Sequence, residues 1–424
     1  MVEIKEYDTI TCNKEASQQF GYIYLEKKAF VQLEKLILTF NKWDEANDAT
    51  DFLSLSSKRN VGKVIRAKNY VGVLQVNDQV QLEILPKIHG GTPEDTRKTF
   101  LKMLKTLRDF PSKSFNQTKL NTAKLPIFEV FIRLFVREVQ HLVKRGLKSA
   151  YYEVEDNLNV FKGKMNFSQQ IKHNVVHSER FYVQYDEFGL NRPENRLIKT
   201  TLEYLMKHST SNENIKELRK LLTHFEMVKS SVAIDKDFVQ VNIDRNSKDY
   251  EVILKWSKIF LKKNSFTTFN GAIAAQSLLF PMDKVFETYV GKTLSRELSG
   301  TAWSVALQDR KYHLFERQFA LRPDIVLRNE DTGRVIVFDT KWKVLINDPR
   351  KNYGISQADM YQMYAYAKKY QTDEIVLIYP KVDTFSNDVD ICFVSNDGVK
   401  VTVFFIDCHQ IENSLYHLIE YCNL

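Results

Sequence analysis

The stretch RPDIVLRNEDTGRVIVFDTKWK, residues 322–343, sets two apolar runs on either side of a turn-rich segment and puts an aspartate at the outer end of each. The segment between them, Asn329 to Arg334, is rich in residues that favour chain reversal. A reversal centred between Asp331 and Thr332 opposes Asp324 to Asp339, with Cβ atoms about 4.5–5.5 Å apart. Lys341, two residues beyond Asp339, then shares its face, while Phe338, Thr340 and Trp342 point the other way. A slip of one residue would separate the carboxylates, so the inference depends on the turn.

Two carboxylates forced together repel unless a proton or a cation compensates. A hard divalent cation such as Mg²⁺ is bound through oxygen, usually by one or two carboxylates with water and substrate phosphate. Such an ion acidifies water and neutralises charge on a phosphodiester, and a neighbouring ammonium stabilises developing negative charge. Two acids and a lysine on one sheet face therefore suit phosphodiester hydrolysis. They equally suit an ordinary surface hairpin in which Lys341 pairs with one aspartate.

Further residues bear on that choice. Asp359, Gln362 and Tyr366 follow helical spacing and share a face. Tyr361, Met363, Tyr364 and Tyr366 also read as an aromatic packing stripe. Glu287 stands among Val285, Phe286 and Val290, where a carboxylate is costly without a partner. It is either a third acid of the site or an exposed position.

Beyond these motifs, the chain has 424 residues, 43% hydrophobic and 27% charged, with 28 Phe and 20 Tyr. That composition builds globular cores and excludes disorder and collagen-like repeats. Four scattered cysteines, Cys12, Cys392, Cys408 and Cys422, form no CxxC pair, which suits a reducing cytoplasm. No apolar stretch reaches the length a spanning helix needs, and the N-terminus has no signal-peptide pattern, so a soluble cytoplasmic protein is expected. Residues 101–150 carry 11 basic and 3 acidic side chains, and residues 351–424 carry 5 and 10. The basic segment suits a phosphate polymer or a solvated helical face.

Gly291-Lys292-Thr293 imitates a phosphate-binding loop, but Phe286 stands where the first glycine should be and no strand leads in. It is rejected as a nucleotide site. His173 and His177 are four apart, but Asn174 follows His173, so no H-E-x-x-H zinc motif exists.

Periodicity predicts helices over 126–147, 195–206, 214–227, 250–263, 281–298 and 356–370. Residues 20–90 read mostly as strands and turns, with a hairpin over 69–88 turning at Asn77-Asp78. Strands are expected at 312–319, 324–327, 335–341, 374–379, 390–394 and 399–406. The fold class is therefore mixed, α+β. A β-rich N-terminal region spans 1–125 and a mainly helical region 126–265. A mixed α/β sheet flanked by helices spans 266–424, with 265–272 as the boundary stretch.

RPD followed after fourteen residues by DTK, and then QADMYQMYAY, resembles the PD-(D/E)XK nucleases that carry a Q-x3-Y element. The blocks VGVLQVNDQVQLEILPKI (71–88), NLNVFKGKM (157–165), YDEFGLNRPENRLIK (185–199) and FPMDKVFETYV (280–290) narrow the resemblance. They resemble the McrC family, nuclease subunits of McrBC modification-dependent restriction systems. The resemblance implies an endonuclease acting in antiviral defence. It implies that Asp324, Asp339 and Lys341 are catalytic, that both aspartates hold Mg²⁺, and that Gln362 and Tyr366 form the Q-x3-Y element. Glu287 matches the helix acid of related nucleases, as a further catalytic and metal-binding residue. The partners implied are DNA and a McrB-like AAA+ GTPase hexamer docked on the N-terminal region, with no nucleotide bound by this chain and no membrane. A stand-alone repair or recombination nuclease and a non-catalytic activator of a AAA+ ring are the alternatives.

Overall fold

The computed structural model describes residues 1–43, 52–76, 80–108, 110–111, 125–243, 248–261, 277–382, 385 and 391–424. The turn residues Asn77 and Asp78 and the boundary stretch 265–272 lie outside them. The fold is mixed α/β, as the patterning predicts, and among the described residues the strands form five sheets.

In the N-terminal part, Val2–Lys5 runs parallel to Gln81–Leu85, which pairs antiparallel with Tyr70–Gln75. The fourth strand of this sheet, Ser277–Pro281, comes from far down the chain and pairs with Tyr70–Gln75. Gly72 permits that pairing: a Cβ there would stand 1.9 Å from the Leu278 carbonyl oxygen, and its φ of 137° disfavours other residues. A second four-stranded sheet is ordered Ile23–Tyr24, Thr9–Thr11, Gly62–Ala67, Leu53–Lys58.

Residues 20–90 are less uniformly extended than their composition suggests. Lys27–Trp43 is a 17-residue helix, because Phe30, Leu33 and Ile37 recur at helical spacing and bury one stripe. The helices expected near 126–147, 195–206, 214–227 and 250–263 are Ile127–Arg145, Pro193–His208, Asn212–Thr223 and Lys248–Leu261. They pack into one core with the inner face of the N-terminal sheet. An arm of antiparallel strands, Ala150–Leu158 with Phe181–Gly189, carries the Phe167–Asn174 helix. On this arm His173 stacks against Tyr182 and His177 pairs with Glu179.

The C-terminal sheet has six strands in the order Trp303–Leu307, Ile325–Asn329, Val335–Thr340, Glu374–Pro380, Lys400–Ile406, Ile391–Val394. Val335–Thr340, Glu374–Pro380 and Lys400–Ile406 run parallel, and the other pairings are antiparallel. One face buries Val326, Val337 and Leu377 against Met363, Tyr366 and Tyr370 of the Gln357–Tyr370 helix. The other buries Ile325, Ile336 and Phe338 against Val285, Phe286 and Val290 of the Met282–Glu297 helix.

Gly291-Lys292-Thr293 lies inside the Met282–Glu297 helix, where a Cβ on Gly291 would come within 2.8 Å of Leu307 Cδ2. That glycine serves close packing of helix on sheet. The single strand expected over 312–319 is instead a hairpin, His313–Phe315 with Gln318–Ala320, and Arg317 turns it at φ 56°. Part of the basic segment is engaged in packing: Lys102, on the Pro93–Leu104 helix, pairs with Glu412 of the Ile411–Cys422 helix at 2.9 Å. No helix among the described residues is long and apolar enough to cross a membrane.

Candidate active site

The hairpin register follows from the turn. Asn329 and Arg334 close it, the Asn329 side chain accepting from the Asp331 and Thr332 amides and the Asn329 N–H donating to the Arg334 carbonyl. Ile325 therefore opposes Phe338 and Val326 opposes Val337. The next position outward opposes Asp324 to Asp339. Because Val326 and Val337 face the Gln357–Tyr370 helix, alternation brings both aspartates to that side, at the carboxyl end of the parallel strands. The Lys341 amide still donates to the Ile378 carbonyl at 2.8 Å, so alternation persists and Lys341 joins Asp339 on one face. Phe338 and Trp342 pack on the opposite side, as expected.

Each side chain is held. Asp324 Oδ2 accepts both the Thr340 amide and the Thr340 hydroxyl at 2.7 Å. Thr340, expected to point away, thus orients the first aspartate. Asp339 is only 2% exposed. Lys341 Nζ forms an ion pair with Asp339 Oδ2, a buried oxygen with no other polar partner among the described residues. Lys341 Nζ also donates to Gln362 Oε1 at 3.2 Å, and Gln362 Nε2 donates to the Tyr366 hydroxyl at 2.7 Å. Asp359, on the same helix, pairs with Lys343 at 2.9 Å rather than with Lys341.

The electrostatics mark one centre. Burial, then the charge of Asp324, raises the Asp339 carboxyl; burial also raises Asp324. Burial opposes the charge on Lys341, but Asp339 and Asp324 outweigh it and keep the ammonium protonated. Glu287, half-buried on the Met282–Glu297 helix, is pushed up to about 7 by burial and then by the charges of Asp324 and Asp339. The acid suspected from its apolar neighbours therefore belongs electrostatically to the same site.

Gln308, to which sequence reasoning assigned no role, ties Glu287 and Asp324 together. Its amide side chain donates to Glu287 Oε1 and its backbone N–H to the Asp324 carbonyl, both at 2.8 Å. It does so from a left-handed conformation, φ 48°. No local pattern announces that geometry in a glutamine.

The donor set is oxygen only, two carboxylates that share a single ammonium, which fits a hard divalent cation. Among the described residues no three His, Cys, Asp or Glu side chains gather closely enough to cage a metal unaided. Mg²⁺ requires no such cage, since water and substrate phosphate complete its shell.

Comparison with known proteins places these residues in a family. A sequence profile described as "McrBC 5-methylcytosine restriction system component" matches residues 65–380, three quarters of the chain and every residue of the site. The type IV methyl-directed restriction enzyme EcoKMcrBC of Escherichia coli (strain K12) is 23% identical over 271 residues, 58% of this chain and 74% of that protein. A chain in the refined half-complex from a tetradecameric assembly of Thermococcus gammatolerans McrB AAA+ hexamers with bound McrC superposes with a TM-score of 0.67. It is 20% identical, and the match covers 99% of this chain and 100% of that one. At that identity the likeness is one of fold.

Proposed function

We propose, from the premise that this chain belongs to the family of McrBC 5-methylcytosine restriction system components, that it is the McrC-type nuclease subunit and hydrolyses DNA phosphodiesters with Mg²⁺. The observation that carries the reading is the convergence of Asp324, Asp339 and Lys341 at one strand end, with Lys341 paired to the buried Asp339 carboxylate.

Asp324 and Asp339 would hold the ion, with Glu287 as a third acid within electrostatic reach of both. When bound, the ion supplies an acidified water and charge neutralisation at the scissile phosphate. The protein's own groups do the rest. Lys341, kept cationic by the aspartates, stabilises negative charge that develops on phosphate oxygens. Gln362 orients that ammonium and is itself oriented by Tyr366, which is 1% exposed and packed in the core beneath the site. Thr340 fixes the rotation of the Asp324 carboxylate, and Gln308 that of Glu287.

The reading extends to a partner. The arm of residues 150–189 exposes Val160, Phe161, Phe167, Ile171, Val175 and Val176, the last at 86%. Six exposed apolar side chains on one arm, with Phe167 and Ile171 four apart on its helix, mark an interaction surface. We assign that surface to a McrB-like AAA+ GTPase, in line with the named components of the similar assembly.

The test is cleavage of 5-methylcytosine-containing DNA by the full chain with Mg²⁺, GTP and a McrB-type AAA+ GTPase. Wild type should cut and Asp339→Asn should not. Equal cutting by the two would overturn the reading.

A further inference from the structure

Directly ahead of Asp324 in the chain, the His313–Phe315 and Gln318–Ala320 hairpin turns at Glu316-Arg317 and carries exposed apolar side chains beside that charged turn. Phe315 and Phe319 meet edge to face with ring centroids 5.8 Å apart, yet they are 62% and 69% exposed. Leu314 beside them is exposed as well. These rings contribute little to a core, and their exposure costs solvation free energy unless something covers them.

The backbone holds them in an unusual conformation. Arg317 and Phe319 both lie in the left-handed region, at φ 56° and 55°. A bulky aromatic residue seldom adopts that region, and such strain persists where the surroundings enforce it.

The base of the hairpin is anchored. The Leu321 amide donates to the Tyr312 carbonyl at 2.9 Å, and the Tyr312 ring packs edge-on against Tyr370, 4.7 Å away. Tyr370 sits one turn beyond Tyr366 on the helix that orients Lys341. Asp324 is five positions beyond Phe319, so their Cα atoms are at most about 18 Å apart. That is roughly five nucleotides along a strand at about 3.4 Å each. A strand seated on the two aspartates need extend no further than that to meet the rings.

Charge identifies the covering partner. Arg310 and Lys311 precede the hairpin, Arg322 follows it and Arg317 lies in its turn, against a single acid within residues 310–322, Glu316. Arg310, Arg317 and Arg322 are exposed and, among the described residues, none has an ion-pair partner. Guanidinium groups around exposed aromatic rings match phosphates around base faces. Resting on the nuclease reading above, we infer that this hairpin is a DNA-engaging wedge: Phe315 and Phe319 stack on bases within about five nucleotides of the scissile phosphate, and the neighbouring arginines hold the phosphates. Apolar side chains inserted at a base step unstack it and bend the duplex. The wedge would thereby present the strand to the aspartates.

The test measures binding of the full chain to a fluorescently labelled DNA duplex by anisotropy, over a series of salt concentrations, with Ca²⁺ replacing Mg²⁺. The Phe315→Ala/Phe319→Ala double variant should bind about tenfold more weakly or worse, since stacking is lost. Its dependence of log Kd on log salt should match wild type, because no phosphate contact is removed. Arg317→Ala/Arg322→Ala should instead lower that salt slope by about two. Both rings are exposed, so an unchanged melting temperature verifies that the double variant folds.

Wild-type affinity in the double variant would overturn the wedge, and if that variant lost only the GTPase partner the rings would be reassigned to a protein contact. A wild-type chain that binds no DNA would overturn it too. The nuclease reading is decided separately, by whether Asp339→Asn still cuts, so the two failures are distinguishable.

Discussion

Both oxygens of the Glu6 carboxylate stand 3.0 Å from the indole N–H of Trp342, across 336 positions of sequence. Glu6 follows the first strand of the chain, and Trp342 follows Lys341 directly. The Lys87 amide donates to the same carboxylate at 3.0 Å, and Trp342 packs against Phe286, the neighbour of Glu287. Asn69 reaches across to Asp283 at the other end of the contact, joining the N-terminal sheet to the helix that carries Glu287. The N-terminal sheet thus braces, from the opposite face, the strand end and the helix that carry the candidate active site.

Glu6 is 1% exposed, and burial pushes its carboxyl up from 4.5 to about 8. A folded-state pKa above the unfolded value means that the folded protein binds the extra proton. The stabilisation is full below about pH 4.5 and is lost as pH rises towards 8. Glu6→Gln mimics the neutral acid, so it should flatten the fall in melting temperature between pH 5 and 8. Glu6→Ala should cost about 1–3 kcal/mol by leaving the Trp342 and Lys87 N–H groups buried without an acceptor. Denaturant melts across that pH range decide the matter; a Glu6→Gln curve parallel to wild type would count against it.

Lys341→Ala removes the ammonium while leaving the carboxylates in place. Cleavage should fall by about a hundredfold or more, on the scale of losing one preorganised charge-stabilising donor. Magnesium binding by calorimetry should persist, since the lysine is no ligand. A variant that cuts at the wild-type rate would remove Lys341 from the chemistry.

Magnesium affinity should rise with pH. Glu287 sits at about 7, and the aspartate pair is raised by burial and mutual repulsion, so binding the ion displaces protons below neutrality. Calorimetry between pH 5.5 and 8 should show affinity increasing up to about tenfold per unit below pH 7 for each proton released, then levelling. Glu287→Gln should shift that profile to lower pH, since one repelling acid is gone. Affinity independent of pH would contradict the geometry.

Phe167 and Ile171, 71% and 69% exposed, contribute nothing to the cores. Replacing both with Ser should change stability by no more than about 0.5 kcal/mol per site. Binding to the AAA+ partner should weaken by about tenfold or more, as for the anchors of an interface. Surface plasmon resonance against the purified GTPase measures it, and unchanged affinity would move the docking surface elsewhere.

Much of the site's geometry is legible in the sequence. The residues between Asn329 and Arg334 encode a reversal whose centre determines the register, and the two-residue period then selects the face for Asp324, Asp339 and Lys341. Helical spacing brought Gln362 and Tyr366 together for the same reason: both periods are local properties of the backbone. Helix Lys27–Trp43 obeys such a period too, and was obscured only by the strand-rich sequence around it. The hairpin at 313–320 was hidden because Arg317 and Phe319 adopt a backbone region that their side chains do not advertise.

What the amino-acid sequence determined by itself was therefore local: strand and helix periods, one turn, and the face shared by two aspartates and a lysine. Tertiary structure alone decided that Glu6 caps Trp342, that Gln308 bridges Glu287 and Asp324, and that Ser277–Pro281 closes the N-terminal sheet. The physical reason is separation along the chain. A contact between residues hundreds of positions apart depends on how finished elements pack, and packing leaves no periodic trace in either partner.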